Sequence, residues 1–238
     1  MRLLAVLLVT ALVVTGCSTV DSADIRTSGM TADLLVELPE SGQAAEVTAS
    51  FRVGTLTYVE LGSGEKVTVS AQGLTEELRR GKFAGATRYT GQLEATEPGT
   101  EFTLDLERDG DNTSAPRSTV VLPESVHLVA PVAGARLSRR TAVQVRFASG
   151  PPQRLTWTGQ CVQSGDLEIE AGRSAATIAA GLIRAIPSTS ASPRSGGSDS
   201  CQLTLTLTRR TTGKLDAAFK DGTVVAEAES VRQVVSEP

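Results

Sequence analysis

Few residues of the 238-residue chain have the types and spacing that catalysis requires. His127 is the single histidine, so a Ser-His-Asp triad has one candidate base, and a metal site built from several histidines is excluded. Ser63 and Lys66 match the spacing Ser-x-x-Lys, but the S-D-N and K-T-G motifs that accompany it are missing, and so is G-x-S-x-G. We therefore predict no catalytic residue and interpret His127 as a contact between domains or on an edge strand.

Carboxylates are the other candidates for acid-base or metal chemistry. Asp166, Glu168 and Glu170 alternate with apolar residues, which predicts that they face solvent on one strand rather than line a glycosidase cleft. The oxygen-rich segment 109–114 vaguely resembles a calcium loop, but Val120 occupies the twelfth position, where an EF-hand has glutamate. A turn rich in Asp, Asn and Gly is typical of a hairpin connection. The sequence thus predicts no metal and no cofactor.

The first cysteine, Cys17, ends a stretch that is typical of an export signal. Arg2 is followed by an apolar run from Leu3 to Val14, and small residues lead to Gly16. The run is too short for a membrane-spanning helix, which needs about 20 apolar residues. The residues V-T-G-C resemble the lipobox of bacterial lipoproteins, in which an aliphatic residue and two small residues precede the modified cysteine. The alternative is an ordinary secreted protein whose cysteine is coincidental.

This resemblance implies that residues 1–16 are a removable signal peptide and that diacylglycerol is attached to the Cys17 sulfur. The two acyl chains of diacylglycerol, or three chains if the new amine is also acylated, for example with palmitate, would give stable anchoring. Ser18 follows the cysteine, which resembles the pattern that is sorted to the outer membrane of a diderm; in a monoderm it implies the outer face of the cell membrane. Residues 17–31 comprise the lipidated cysteine and a segment, 18–31, that is rich in Ser, Thr, Asp and Gly. This segment is predicted to form a flexible tether.

The other two cysteines, Cys161 and Cys201, are predicted to form a disulfide. Cys201 has the strand parity of Leu203 and is predicted to begin on a core face, and Cys161 has the parity of Trp157 and points inward if its strand runs that far. An even pair in an exported chain favours a structural bridge. A redox pair is the alternative, but the close spacing that favours it, such as C-x-x-C, is missing.

Composition narrows the classes of partner. A net charge of −4 argues against nucleic acid, because phosphate binding needs a basic surface, and 3% aromatic residues are too few for base-stacking platforms. A hydrophobic content of 40% is that of a folded chain. The expected partners are therefore the membrane, through the lipid on Cys17, and a protein or an envelope polymer.

Alternation of apolar and polar residues predicts an all-β fold with two tandem β-sandwich domains. The first domain is expected over residues 32–124 and the second over residues 125–238, with a boundary near Pro123. The pattern of an apolar strand, Pro-x-x-Gly at 131–134 and an alternating strand resembles the opening of immunoglobulin-like and fibronectin-like bacterial domains. The resemblance implies that the second domain is immunoglobulin-like. Trp157, the single tryptophan, is predicted to lie in a core, and a surface binding role is the alternative.

Two segments are ambiguous, and two others are candidate binding loops. Residues 74–82 fit one or two helical turns, while residues 175–186 fit either a helix or two short strands, and the glycine and β-branched residues favour strands. Residues 109–116 and 187–200 are predicted to be mobile loops that could bind a partner.

Three functions follow from this reading. The favoured one is an anchored, non-enzymatic binding or structural module in the bacterial cell envelope. The second is an envelope-assembly or chaperone-like lipoprotein that pairs a client strand with an exposed sheet edge. The third is an unrecognised hydrolase, which would need a concave pocket that gathers carboxylates from distant strands.

Overall fold

The computed structural model describes residues 18–110, 113–186 and 200–238. Among these residues the chain is built from strands and two short 3-10 helices, Ser22–Asp24 and Thr27–Gly29, and no helix is long and apolar enough to cross a membrane. The predicted all-β class is confirmed. The strands are β1 Ser18–Asp21, β2 Thr31–Leu38, β3 Ala45–Val53, β4 Thr57–Glu60, β5 Lys66–Ala71, β6 Leu74–Glu77, β7 Arg79–Phe83, β8 Ala86–Leu93, β9 Glu101–Glu107, β10 Ala115–Val121, β11 Leu128–Ala130, β12 Arg136–Ser138, β13 Val143–Phe147, β14 Gln153–Gly159, β15 Val162–Ile169, β16 Ala175–Ile178, β17 Cys201–Thr212 and β18 Asp221–Glu237.

The first sandwich unit packs two sheets against each other. One sheet has the order β1-β4-β3-β2, with β8 and β7 added beside β3, and the other has the order β10-β9-β5-β6. Alternation places Leu34 and Phe51 on the inner face of the first sheet, where they line the same interior space as Val67 and Leu104 of the second. Burial of these side chains is what holds the two sheets together.

The second sandwich unit has the same plan. Strands β15-β14-β17-β18 form one sheet, and β11-β13-β16 form the other. Leu203, Leu205 and Leu207 are fully buried on the inner face of β17. The predicted core position of Trp157 is confirmed, because its side chain is buried and its ring covers Gly165, the residue paired with it on β15. A Cβ atom at position 165 would lie 2.4 Å from this ring, so the close packing requires glycine there.

The long strand β18 belongs to both units. Its first half, from Asp221 to Ala228, pairs in parallel with β2 of the first unit. Residues 225–236 of β18 pair with β17, and residues 235–237 pair with β12 of the second unit. Phe219, just before β18, stacks on Phe51 in the first core with ring centroids 5.8 Å apart. The last hairpin therefore crosses the boundary expected near Pro123 and joins the two units through one continuous sheet.

Polar contacts also join the units beside this sheet. Glu40, in the β2–β3 turn, lies 3.6 Å from the Arg232 guanidinium and 4.0 Å from Nδ1 of His127. Arg209 is buried at the junction and donates to the Glu124 carboxylate at 3.0 Å and to the Ser125 carbonyl at 3.4 Å. His127 thus contacts the neighbouring unit, as the sequence predicted, and its side chain is mostly exposed.

Two expectations about local structure are wrong, and a third is confirmed in part. Residues 18–31 are not a flexible tether, because β1 pairs with β4 and because Ser22, Thr27 and Met30 are buried. Residues 74–82 form strands β6 and β7 instead of helical turns, since pairing with β5 and β8 outweighs their weak helical spacing. In segment 175–186 the strand interpretation is confirmed for β16, and Ala185 adds an isolated bridge to Val162.

The parallel pairing of β18 with β2 leads to a testable prediction about Gly222. This residue has φ +143°, and a Cβ atom there would lie 1.8 Å from the carbonyl oxygen of Ala32, its partner in register. We expect Gly222→Ala to lower the free energy of unfolding by about 3 kcal/mol, through backbone strain and loss of the close strand contact. Urea unfolding measures the change.

The matched control for this variant is Gly73→Ala. Gly73 has φ +80° but open space around the missing Cβ, so only the backbone strain of about 1 kcal/mol applies. Equal losses in the two variants would contradict the view that close contact between β18 and β2 requires Gly222.

Candidate functional site: the groove beside the first strand

The segment that follows Cys17 is fixed to the first unit by a buried arginine. The guanidinium of Arg108 has no exposed surface and forms an ion pair with Glu65, which is also buried. It donates to the carbonyl oxygens of Ser22 at 2.8 Å and Ile25 at 3.1 Å, and to the hydroxyl of Thr27 at 3.2 Å. We call these five residues the arginine clamp. It supplies hydrogen bonds to two carbonyl oxygens of this segment, and the Ser22 oxygen also accepts one from the Ile25 amide at 2.9 Å.

Glu65 connects the clamp to the turn after β4. Its carboxylate accepts hydrogen bonds from the Ser22 hydroxyl and from the Gly62 amide, the latter at 3.1 Å. Burial by itself raises the pKa of Glu65, but the hydrogen bonds from Ser22, Arg108 and Gly62 together outweigh burial and lower the pKa below 4.5. Ionised Glu65 therefore contributes stability above pH 4.5, and this contribution is lost as the pH falls through the lower folded-state pKa.

A groove of about 800 Å³ lies between strand β1 and the β6–β7 segment. Its walls combine an edge strand with charged side chains of both signs. In the described part of the chain β1 pairs with β4 alone, so its other edge borders the groove. The residues that line the groove are Thr19, Val20, Asp21, Glu60, Leu61, Gly62, Ser63, Glu65, Lys66, Val67, Glu77, Leu78, Arg79, Arg80 and Tyr89.

The charged groups of the groove are largely paired with one another. Glu60 lies 2.8 Å from the Arg80 guanidinium and 3.5 Å from the Lys82 ammonium. At the base of the groove the hydroxyl of Tyr89 accepts a hydrogen bond from the Leu61 amide at 2.7 Å, and burial raises the pKa of Tyr89. Arg79 is exposed at the rim of the groove. The groove therefore offers strand-edge backbone and charges of both signs, which suit an extended polar chain.

A second polar surface lies on the outer face of the shared sheet. Parallel pairing places Glu37 of β2 directly opposite Glu227 of β18, and Glu229 follows on the same face. Oxygen atoms of the three carboxylates lie within 4.8 Å of one another. Sequence reasoning did not find this cluster, because nothing in the local patterns indicates that β2 and β18, which are almost 200 residues apart, are neighbours.

Crowding of these carboxylates disfavours their ionised forms. Burial and the charges of Glu229, Glu227 and Glu46 raise the pKa of Glu37 above 4.5. Burial and Glu227 also raise the pKa of Glu229, against a hydrogen bond from Thr208. Arg210 lies 3.6 Å from Glu227 and offsets part of the repulsion.

This cluster makes a prediction about pH. We expect Glu37→Gln to raise the free energy of unfolding by about 0.5–1 kcal/mol at pH 7, because a like-charge contact across two strands is removed. A raised folded-state pKa means that the penalty is absent below pH 4.5 and complete above the raised pKa, so the gain should vanish at pH 4. Thermal melting at both pH values measures the change in stability.

The control variant is Glu168→Gln, at an exposed carboxylate paired with Arg154, and it should give no gain at pH 7. A gain that is equal at pH 4 and pH 7 would contradict the electrostatic explanation.

The predicted disulfide is confirmed. Cys161 follows β14, Cys201 begins β17, and their Cα atoms lie 5.8 Å apart. The Cys161 amide also donates to the Cys201 sulfur at 3.2 Å. Both cysteines pack against the core, and Cys201 does so with the parity of Leu203. Cys161 lies in the turn after β14, which ends at Gly159, so strand parity does not account for its position.

Other candidate residues fall in different places. Cys17 lies outside the described residues, as do residues 111–112 and 187–199 of the two predicted binding loops. Asp166, Glu168 and Glu170 are exposed as predicted, and Arg154 pairs with the first two. Ser63 and Lys66 both line the groove, which their Ser-x-x-Lys spacing did not indicate.

Comparisons with known proteins identify no family. No family model matches the chain, and no curated protein matches it. Solved structures that resemble it include a two-domain fibronectin type III segment of chicken tenascin, at 10% identity over 87% of this chain and 98% of that one, with a TM-score of 0.25. The BSP domain of a biofilm associated protein matches at 14% identity over 88% of this chain and 30% of that one, with a TM-score of 0.27. The two immunoglobulin domains of DIP-gamma match at 8% identity over 87% of this chain and 97% of that one, with a TM-score of 0.23. Because these scores are low, the fold assignment rests on the strand pairing described above.

Proposed function

We propose that this chain is an extracytoplasmic lipoprotein, anchored through diacylglycerol on Cys17, that acts as a non-enzymatic binding or structural module. One observation carries the proposal. The residues directly after Cys17 form strand β1, which is part of the first unit and borders the groove of about 800 Å³. A lipid on Cys17 would therefore hold this groove at a fixed place close to the membrane surface, where a protein or an envelope polymer can reach it.

The shared sheet supports a role as a scaffold. Strand β18 is hydrogen-bonded to β2 in the first unit and to β12 in the second, so the two units are joined by more than a linker. A rigid scaffold that presents a binding surface reduces the ordering cost of binding. The groove would keep the same orientation relative to the second unit when a partner binds.

Strand β1 also favours a second candidate function, the pairing of client strands during envelope assembly. A partner in extended conformation could hydrogen-bond to the edge of β1 that faces the groove, while the charged walls would select its side chains. Both candidate functions place the partner in the same groove. They differ in the partner, which is a folded protein or a polymer in the first case and an unfolded strand in the second.

The carboxylates of the groove favour binding over hydrolysis. Asp21, Glu60, Glu65 and Glu77 come from different parts of the first unit, as the hydrolase hypothesis requires. However, Glu60 is paired with two cations, and the pKa of Glu65 is lowered. A general acid needs a raised pKa, so the lowered pKa of Glu65 is the reverse of what that role requires.

Crosslinking on intact cells, followed by purification of the full-length protein and mass spectrometry, tests the proposal. We expect one or two partners to be enriched reproducibly and the mass of the mature chain to include the lipid on Cys17. Arg79→Glu, at the rim of the groove, should reduce partner recovery severalfold. Arg146→Glu, an exposed arginine on β13 of the second unit, is the matched control and should leave recovery unchanged.

The outcomes separate the parts of the proposal. A mature chain without lipid would overturn the anchor, and Cys17→Ser shows whether partner capture needs the anchor. Equal recovery with Arg79→Glu and Arg146→Glu would overturn the groove as the binding site. Partners captured as folded domains favour the binding module, whereas nascent or denatured envelope proteins favour strand pairing.

A further inference from the structure

One end of the first unit lies next to the proposed lipid anchor. We propose that this end rests directly on the bilayer, with Leu56 and Phe83 entering the interfacial layer. We call it the anchor end and define it by Ser18, the turn at residues 54–56 and the hairpin tip at residues 83–86. The inference rests on the proposed lipidation of Cys17 and adds how the folded protein meets the membrane.

The distance between the lipid and the fold supports this contact. Ser18 is the next residue after Cys17 and already pairs with Thr57 at the start of β4. Its hydroxyl lies 2.8 Å from that of Thr57. Consecutive Cα atoms are about 3.8 Å apart, so a lipid on Cys17 would be within one residue of the first strand pair. The arginine clamp, a few residues later, prevents the segment from acting as a spacer.

The strand register brings the two turns to the same end as Ser18. Strand β3 ends at Val53, which pairs with Thr57 across the turn that carries Leu56. Strand β8 is antiparallel to β3, with Tyr89 opposite Ala49, so its first residue, Ala86, is level with the end of β3. The tip of the β7–β8 hairpin therefore points in the same direction as the turn at 54–56.

The side chains at the anchor end have the chemistry of an interfacial contact. Leu56 is 57% exposed and Phe83 is 66% exposed, so both apolar side chains are free to enter an apolar phase. The Arg88 guanidinium lies over the Phe83 ring, 5.1 Å from its centroid, and the Lys82 side chain is largely exposed beside it. Apolar and aromatic groups that enter the acyl boundary, with cations that reach the phosphates, are typical of proteins that lie on a bilayer.

The path of β18 sets the orientation of the second unit. Asp221, at the start of β18, is level with Thr31 at the anchor end, and Ala228 is level with Leu38 at the opposite end. Strand β18 then continues into the second unit. The second unit therefore projects away from the anchor end, and its exposed Val132 provides a distant control position on the same molecule.

Site-specific fluorescence on the full-length lipidated protein tests the inference. A single cysteine is placed at Thr55, Ala84 or Val132 and labelled with an environment-sensitive dye, so that Leu56 and Phe83 are retained. The protein is reconstituted in vesicles of phosphatidylethanolamine and phosphatidylglycerol that contain a headgroup-level lipid quencher. We expect at least threefold more quenching at positions 55 and 84 than at position 132. The double variant Leu56→Ser and Phe83→Ser should reduce quenching at position 55 without changing the melting temperature.

The readouts distinguish failure of the anchor from failure of the contact. If the chain does not float with the vesicles and its mass lacks the lipid, the proposed anchor is wrong. If the lipidated chain floats but the three positions are quenched equally, the proposed contact is wrong while the anchor stands. Unchanged quenching at position 55 in the double serine variant would also overturn the role of Leu56 and Phe83.

Discussion

The variant Arg108→Met is expected to unfold with a free energy about 3–5 kcal/mol lower than that of the native chain. Removal of the guanidinium leaves the buried Glu65 carboxylate without its cation and takes one hydrogen bond from each of the carbonyl oxygens of Ser22 and Ile25. Breaking one side of a buried ion pair costs this much because the remaining charge is neither solvated nor paired. Urea unfolding gives the magnitude. Hydrogen exchange should localise the first effect to residues 18–30.

Two further variants make the interpretation of this result specific. Arg154→Met removes an exposed arginine that pairs with two carboxylates on β15, and we expect a change below about 1 kcal/mol. The double variant Arg108→Met with Glu65→Leu removes both buried charges, so it should recover a substantial part of the loss. If Arg108→Met and Arg154→Met have equal effects, the clamp does not hold the segment in the way we describe.

Replacing Cys161 and Cys201 together with serine is expected to lower the free energy of unfolding by about 4 kcal/mol. The bridge closes a loop with a sequence separation of 40, and the chain-entropy model gives this value for a loop of that length. The bridge also joins the end of β14 to the start of β17, two strands that pair in the second unit. The melting temperature of the variant and its urea midpoint both measure the loss.

Thiol counting provides the control for the disulfide prediction. The native chain with lipid on Cys17 should show no free thiol when it is denatured without a reducing agent, and the single variant Cys161→Ser should show one. Reduction of the native chain should lower its melting temperature towards that of the double serine variant. Two free thiols in the native chain, or a double variant that melts at the native temperature, would contradict the role of the bridge.

The class of fold was accessible from sequence because it depends on local parity, and the disulfide was accessible because two cysteines remain once Cys17 is assigned to the lipid. Alternation along β5, β9 and β17 identifies strands without any knowledge of their neighbours, and the same parity places Cys201 beside Leu203. In contrast, the ordering of residues 18–31 was missed. Its cause is Arg108, about 80 residues away, and no feature near Ser22 or Thr27 indicates that a buried arginine will bind their oxygen atoms.

The candidate groove was missed for a related reason. Its two walls, β1 and the β6–β7 segment, are separated by more than 50 residues, and each has an unremarkable local pattern of short polar strands. Parallel pairing of β18 with β2 is equally invisible, although it determines both the acidic cluster at Glu37 and the connection of the two units. In this chain, the local sequence patterns do not predict which distant strands pair with each other.

Strand β18 also affects the order in which the protein can fold as it is made. The sheet that contains β2 remains one strand short until residues 221–228 are available, and by then all of the second unit except the rest of β18 has been synthesised. At about 5–20 residues per second, the 106 residues between Leu122 and Ala228 take roughly 5–20 s. During this interval the edge of β2 is unpaired, so the last stage of folding of the first unit follows synthesis of nearly the entire chain. A nascent chain that stalls after Leu122 would therefore present an aggregation-prone strand edge to its surroundings.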